Sequence, residues 1–194
     1  MNQSGDGYRP FYLPRLPREY YCGDAVVHWT LPVAHRSHGW LDTQFHLAFR
    51  EVMLHAAARE SLICPAYCLM PDHLHLIWMG LRRDSDQMVA MAFLRTYLEP
   101  KLAPFKFQHQ AHDHVLKARE RQRNAFAAVC DYIIENPVRA GIVARSIEWP
   151  HSGAIVVGYP TLHPRDDLFW PKFWKIHSRI LAPDASQIVR PPIP

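Results

Sequence analysis

From Ile63 to Met79 the chain is apolar almost without interruption, broken by Pro71-Asp72, and two histidines two residues apart lie in its second half: Leu69-Met70-Pro71-Asp72-His73-Leu74-His75-Leu76-Ile77-Trp78. Short β-prone runs joined by a Pro-Asp step read as two strands with a tight antiparallel connection. Strand side chains alternate between faces, so His73 and His75 share one face and Leu74 and Leu76 pack behind them. Two neutral imidazoles so placed can hold one divalent cation. The chain has thirteen histidines, and this pair alone also fits a structural or surface role.

The segments around the hairpin give its context. Ala25 to Leu31 is β-branched and apolar and reads as a first strand. Asp42 or Thr43 can cap a helix whose apolar positions Phe45, Ala48, Phe49, Val52, Met53 and Ala56 keep the helical period to about Glu60. Asp84 or Ser85 can cap a second helix ending before Pro100, and Ala111 to Ala118 supplies a fourth strand. A third helix runs from about Arg121 to Glu135. The order β-α-β-β-α-β indicates an α+β fold: a ferredoxin-like, split β-α-β antiparallel sheet with helices on one face.

The 194 residues divide into an expected flexible leader (1–19), one catalytic domain (20–145) and a Pro/Trp-rich tail (146–194) expected to lie extended over it, with Trp170, Phe173 and Trp174 as anchors. Cys22, Cys64, Cys68 and Cys130 are too few and too irregular for a disulfide framework, which suits reduced thiols. The sequence contains neither a run of about 18 apolar residues nor a signal-peptide pattern, so a cytoplasmic protein is expected. A net charge of +4 permits a polyanionic partner without requiring one.

On the third helix Phe126, Val129, Cys130, Ile133 and Ile134 form the buried stripe, and Tyr132 and Asn136 lie together at its edge. Both can face a site beside the helix. They are equally compatible with a boundary aromatic and a residue at the helix C-terminus before Pro137. A tyrosine hydroxyl, with a pKa of about 10, attacks phosphorus well only when the phosphate is polarised, and a divalent cation does that. His73, His75 and the Asn136 amide oxygen would leave coordination positions open for water and phosphate oxygen, a mixed set suited to Mg2+ or Mn2+.

Met70-Pro71-Asp72-His73-Leu74-His75-Leu76, Tyr132-Ile133-Ile134-Glu135-Asn136-Pro137-Val138-Arg139-Ala140-Gly141 and, more weakly, Glu148-Trp149-Pro150 resemble motifs of the small insertion-sequence single-tyrosine HUH transposases, especially the REP-associated tyrosine transposases. The likeness spans about residues 20 to 155. It implies an HUH endonuclease that nicks and rejoins single-stranded DNA beside a hairpin through a 5'-phosphotyrosine intermediate. Tyr132 would be the nucleophile, with His73, His75 and Asn136 as metal ligands. Asp72 stands where an asparagine is common in that family.

The expected partner is single-stranded or hairpin DNA, with the protein a monomer or homodimer and no membrane involved. Arg95, Lys101, Lys106, His114, Lys117, Arg119, Arg121 and Arg139 are candidate DNA contacts, and Phe105 and Phe107 are candidates for stacking on bases. Tyr97 reads as core. Two rival functions share these residues: a domesticated, non-catalytic hairpin-binding protein, and a metal phosphohydrolase in which water attacks.

Overall fold

The structure, a computed structural model, describes residues 14–181. Residues 1–13 of the expected leader and the Pro-Pro-Ile-Pro end lie outside that range.

Five strands, β1 (Val26–Pro32), β2 (Leu62–Met70), β3 (His73–Gly80), β4 (His112–Val115) and β5 (Ser152–Ile155), form one sheet in the order β4-β1-β3-β2-β5. Every neighbouring pair is antiparallel. β1 and β2 flank β3, and the helix α1 (Thr43–Arg59) connects them, which is the split β-α-β arrangement expected from the sequence. Pro65 withholds a ladder donor in β2, and the register shifts there against both β3 and β5.

Two cores lie on opposite faces of the sheet. On one, α1 and α2 (Gln87–Leu102) pack Phe45, Phe49, Met53, Leu94 and Leu98 against Trp29, Leu31, Tyr67, Leu76 and Trp78. On the other, α3 (Arg123–Ile134), the short α4 (Asn136–Arg139) and α5 (Phe169–Leu181) cover the sheet, with Phe126, Cys130, Ile133, Phe169 and Phe173 over Val26, Ile63, Ala66, Ile77 and Met79. The sheet is therefore covered on both faces, not on one as expected. Every residue of β2 is buried, as a strand with apolar cover on both sides requires.

Asp42 caps α1, accepting a hydrogen bond from the Phe45 amide at 2.7 Å. For α2 the cap is Asp86, which accepts from the Met88 and Val89 amides, not Asp84 or Ser85. Ser85 is buried and donates to Ser61 O. α2 also continues through Pro100 to Leu102, because burial of Leu98 and Leu102 outweighs the one lost backbone hydrogen bond near the helix end.

The tail is not extended: it contributes β5 to the sheet and α5 to the second core. Phe169, Phe173 and Ile176, at helical spacing, are the buried face of α5, and Pro171 sits in its first turn, where a backbone N–H has no partner within the helix. Trp170 and Trp174 pack beside them on Phe126. The four cysteines are free, and Cys64, Cys68 and Cys130 are buried. No helix of the described residues is long and apolar enough to cross a membrane.

Candidate metal and phosphoryl-transfer site

β3 opens directly after the Pro71-Asp72 turn, and its register with β1 places Thr30 opposite His75 and Pro32 opposite His73. The face carrying both histidines is the one under α3. His73 Nε2 and His75 Nε2 stand 3.0 Å apart, with the rings nearly perpendicular.

The other ring nitrogen fixes the tautomer of His73. His73 Nδ1 lies 2.5 Å from Asp72 Oδ1, an acceptor only when ionised, so Nδ1 carries the proton. Asp72 remains ionised: burial pushes its pKa up, but the hydrogen bond from His73 and the nearby Arg36, 2.9 Å from its other oxygen, hold it below the usual carboxylate value. His75 Nδ1 is 3.0 Å from Thr30 Oγ1 and 3.1 Å from His28 Nε2, and can donate to or accept from either. Burial, reinforced by His28 and His73, pushes the His75 pKa down to about 3, so the ring is neutral at neutral pH. Burial likewise takes His28 to about 4.

With His75 Nδ1 protonated, both Nε2 atoms offer lone pairs; in the other His75 tautomer its Nε2–H donates to His73 Nε2. A cation fits the first tautomer, since two nitrogens about 2.0–2.1 Å from one ion and at right angles stand about 3 Å apart. Imidazoles tied back through Nδ1 to a carboxylate or hydroxyl are the usual outer support of metal ligands. The donor set therefore fits a divalent ion. Among the described residues no third His, Cys, Asp or Glu joins the pair, so a further protein ligand has to be of another type.

The first turns of α3 place Phe126 near Met79 and Gly80, at the far end of β3, and its 12 residues span about 18 Å, roughly two thirds of the eight-residue strand beneath it. Its C-terminal end is tied to the histidine end of the sheet. Ser146 Oγ donates to Glu135, Trp149 Nε1 donates to Leu69 O at 2.8 Å, and Leu69 N donates to His151 O. Leu69 precedes Met70, the partner of His73 across the β2–β3 ladder. The Glu-Trp-Pro motif thus fastens the end of the tyrosine helix to the hairpin that carries the histidines.

α3 ends at Ile134 and Asn136 opens the next turn, yet the Tyr132–Asn136 relationship survives. Asn136 Nδ2 donates to Tyr132 O and Ile133 O, each at 3.1 Å, which leaves Oδ1 as the acceptor of the amide. Tyr132 is 47% exposed, and the Arg139 guanidinium lies 4.2 Å from its ring centroid. Among the described residues no hydrogen bond or ring contact joins Tyr132 or Asn136 to the histidines. They belong to elements on the same face of the sheet.

The candidate DNA contacts separate. Arg121 pairs with Asp24 at 2.7 Å, His114 pairs with Glu120 at 3.0 Å, and Lys117 and Arg119 are exposed in the turn between β4 and α3. Arg95 and Lys101 belong to α2, on the opposite face, where Arg95 donates to Gln108 O. Lys106 is exposed, but Phe107 beside it is 5% exposed and belongs to the core, so it is not free to stack on a base; Phe105 is half-buried. Tyr97 is surface rather than core, 54% exposed against Phe93. The sequence reading missed His28, whose only signal is its place on a strand face in register with the hairpin.

No family model matches the chain. It is 26% identical over 148 residues to a putative REP-associated tyrosine transposase of Haemophilus influenzae, covering 70% of this chain and 82% of that one. A REP-associated tyrosine transposase of Escherichia coli is 23% identical over 145 residues, covering 70% and 79%. Among solved structures, a REP-associated tyrosine transposase bound to a REP hairpin superposes with a TM-score of 0.60 at 22% identity, over 72% of this chain and 82% of that one. The resemblance read from the motifs holds in sequence and in fold.

Proposed function

We propose that this chain, a relative in sequence and fold of the REP-associated tyrosine transposases, nicks and rejoins single-stranded DNA beside a hairpin, with Tyr132 as nucleophile. The observation that carries the reading is the pair of Nε2 atoms 3.0 Å apart on the hairpin to which the segment after the Tyr132 helix is fastened.

His73 and His75 through Nε2, and Asn136 through Oδ1, would hold a divalent cation, Mg2+ or Mn2+, the ions best matched once phosphate and water oxygens complete the set. Bound there, it would polarise a phosphate oxygen and draw off developing negative charge. Asp72 keeps His73 in the ligating tautomer, and Thr30 or His28 would accept from His75 Nδ1 in the same one. Tyr132 is exposed enough for its phenol proton to pass to water. Its Oη then bonds to phosphorus, the bond from phosphorus to the 3' oxygen breaks, and that oxygen leaves as a hydroxyl. The 5' phosphate stays on Tyr132, and attack by a DNA 3'-hydroxyl reverses the step.

The test mixes the protein, Mn2+ and single-stranded hairpin DNAs carrying flanking single strands, and looks for a covalent adduct by denaturing electrophoresis. A chelator and Tyr132→Phe should each abolish it. An adduct that survives Tyr132→Phe removes Tyr132 from the role.

A further inference from the structure

Away from the histidines, at the Met79 end of the same sheet face, a cavity of about 590 Å³ opens between α5 and the ends of β1 and β3. Val26, Met79 and Gly80 form its floor, Phe126, Trp174 and His177 one wall, and Arg82, Arg83 and Arg121 its rim. The floor is backbone-tight. A Cβ on Gly80 would lie 1.8 Å from Gly23 O, so only glycine lets the two segments meet.

The wall is aromatic: Trp174 and His177 are half-buried on α5, edge-on to each other, and Trp170 packs behind Trp174 outside the cavity. Arg123 lies 5.3 Å from the Trp174 ring centroid. Arg82 and Arg83 are exposed and form no ion pair among the described residues. The acidic side chain of the lining, Asp24, is matched by Arg121.

We propose that this groove is a single-stranded DNA subsite, in which an unpaired base stacks on the Trp174 wall and Arg82 and Arg83 hold the flanking phosphates. Tryptophan faces beside unpaired arginines are the chemistry that binds single strands without reading sequence. Continuity with the histidine site favours this occupant. From Val26 on the floor, the same face of β1 passes half-buried His28 and reaches Thr30, the partner of His75, in four residues, about 13 Å. His112 and His114 are exposed beside this course on β4. A strand held in the groove is thus led along one face to the histidine pair. The inference rests on the proposed action on single-stranded DNA but is read out by binding alone.

The test uses the full chain and a fluorescein-labelled dT12, with anisotropy followed against salt. Arg82→Glu/Arg83→Glu, which alters exposed side chains only, should weaken binding at least tenfold and flatten the salt dependence. Trp174→Leu should weaken it about tenfold, and dT12 carrying 5-iodouracil should photocrosslink to α5. The proposal fails if wild-type protein does not bind dT12, if the double variant binds it unchanged, if polyglutamate displaces it as well as unlabelled dT12 does, or if the crosslinks fall on α1 or α2. Loss of binding in the groove variants alongside a persistent adduct in Tyr132→Phe would uphold the groove and refute the nucleophile. The reverse pattern would do the opposite.

Discussion

Asp72→Ala tests most directly whether the histidine pair is a built metal site. The Asp72 carboxylate lies 2.5 Å from His73 Nδ1, and both side chains are largely shielded, at 23% and 17% exposed. Removing it leaves His73 free to turn its ring or to move its proton to Nε2, which ends ligation. Loss of such a support typically weakens metal binding 10–100-fold, about 1.4–2.7 kcal/mol. Asp72→Asn should lose less, because an amide oxygen can still accept from Nδ1, although the pairing with Arg36 is gone. Titration of Mn2+ into metal-free protein by calorimetry at pH 7 measures all three dissociation constants. The pKa of Asp72 is lowered on folding, so its stabilising interactions are complete at that pH and fade only as pH falls through the carboxylate range. If Asp72→Ala binds Mn2+ within twofold of wild type while His73→Ala does not bind it, the carboxylate does not orient the ligand and the reasoning is wrong.

Other outcomes follow from features remote from the metal. Gln87 is fully buried, accepts from Trp29 Nε1 and donates to Ala25 O, so Gln87→Leu should cost about 2–3 kcal/mol in urea unfolding by orphaning the indole N–H. Gly80→Ala forces a Cβ onto a carbonyl and should cost upward of about 3 kcal/mol, visible as a fall in Tm. Burial first, then His151 and Arg50, lower the His46 pKa to about 4, so the unfolded chain binds the extra proton and stability declines as pH falls from about 6.5 to 4. His46→Gln should make that decline shallower by about one proton in the pH dependence of urea unfolding. An unchanged slope would mean that His46 titrates normally.

Much of this architecture is legible in the chain because local and global signals agree. The α1 period and the Pro-Asp connection each have one good structural reading, the cap narrows to Asp42 or Thr43, and register then sets the two histidines side by side. The tail was misread because Trp-Pro and Tyr-Pro pairs suggest extended chain, although Pro171 falls in the first helical turn, where proline is tolerated. The second helical layer was also signalled: β2 is apolar at consecutive positions rather than alternating, the mark of a strand with no wet face. His28 escaped notice because its role depends on a cross-strand neighbour 47 residues away. No local pattern reports such a pairing.

Because β5 zips along the outer edge of β2, the residues after Trp149 are structural and not an appendage. A fragment ending at Pro150 would keep every motif residue, yet it would uncover a long greasy strand with a vacant row of backbone donors and acceptors. Such a fragment should clump by adding strands from its neighbours. A trimmed version made for crystallisation or assay therefore needs to keep the chain at least through Leu181.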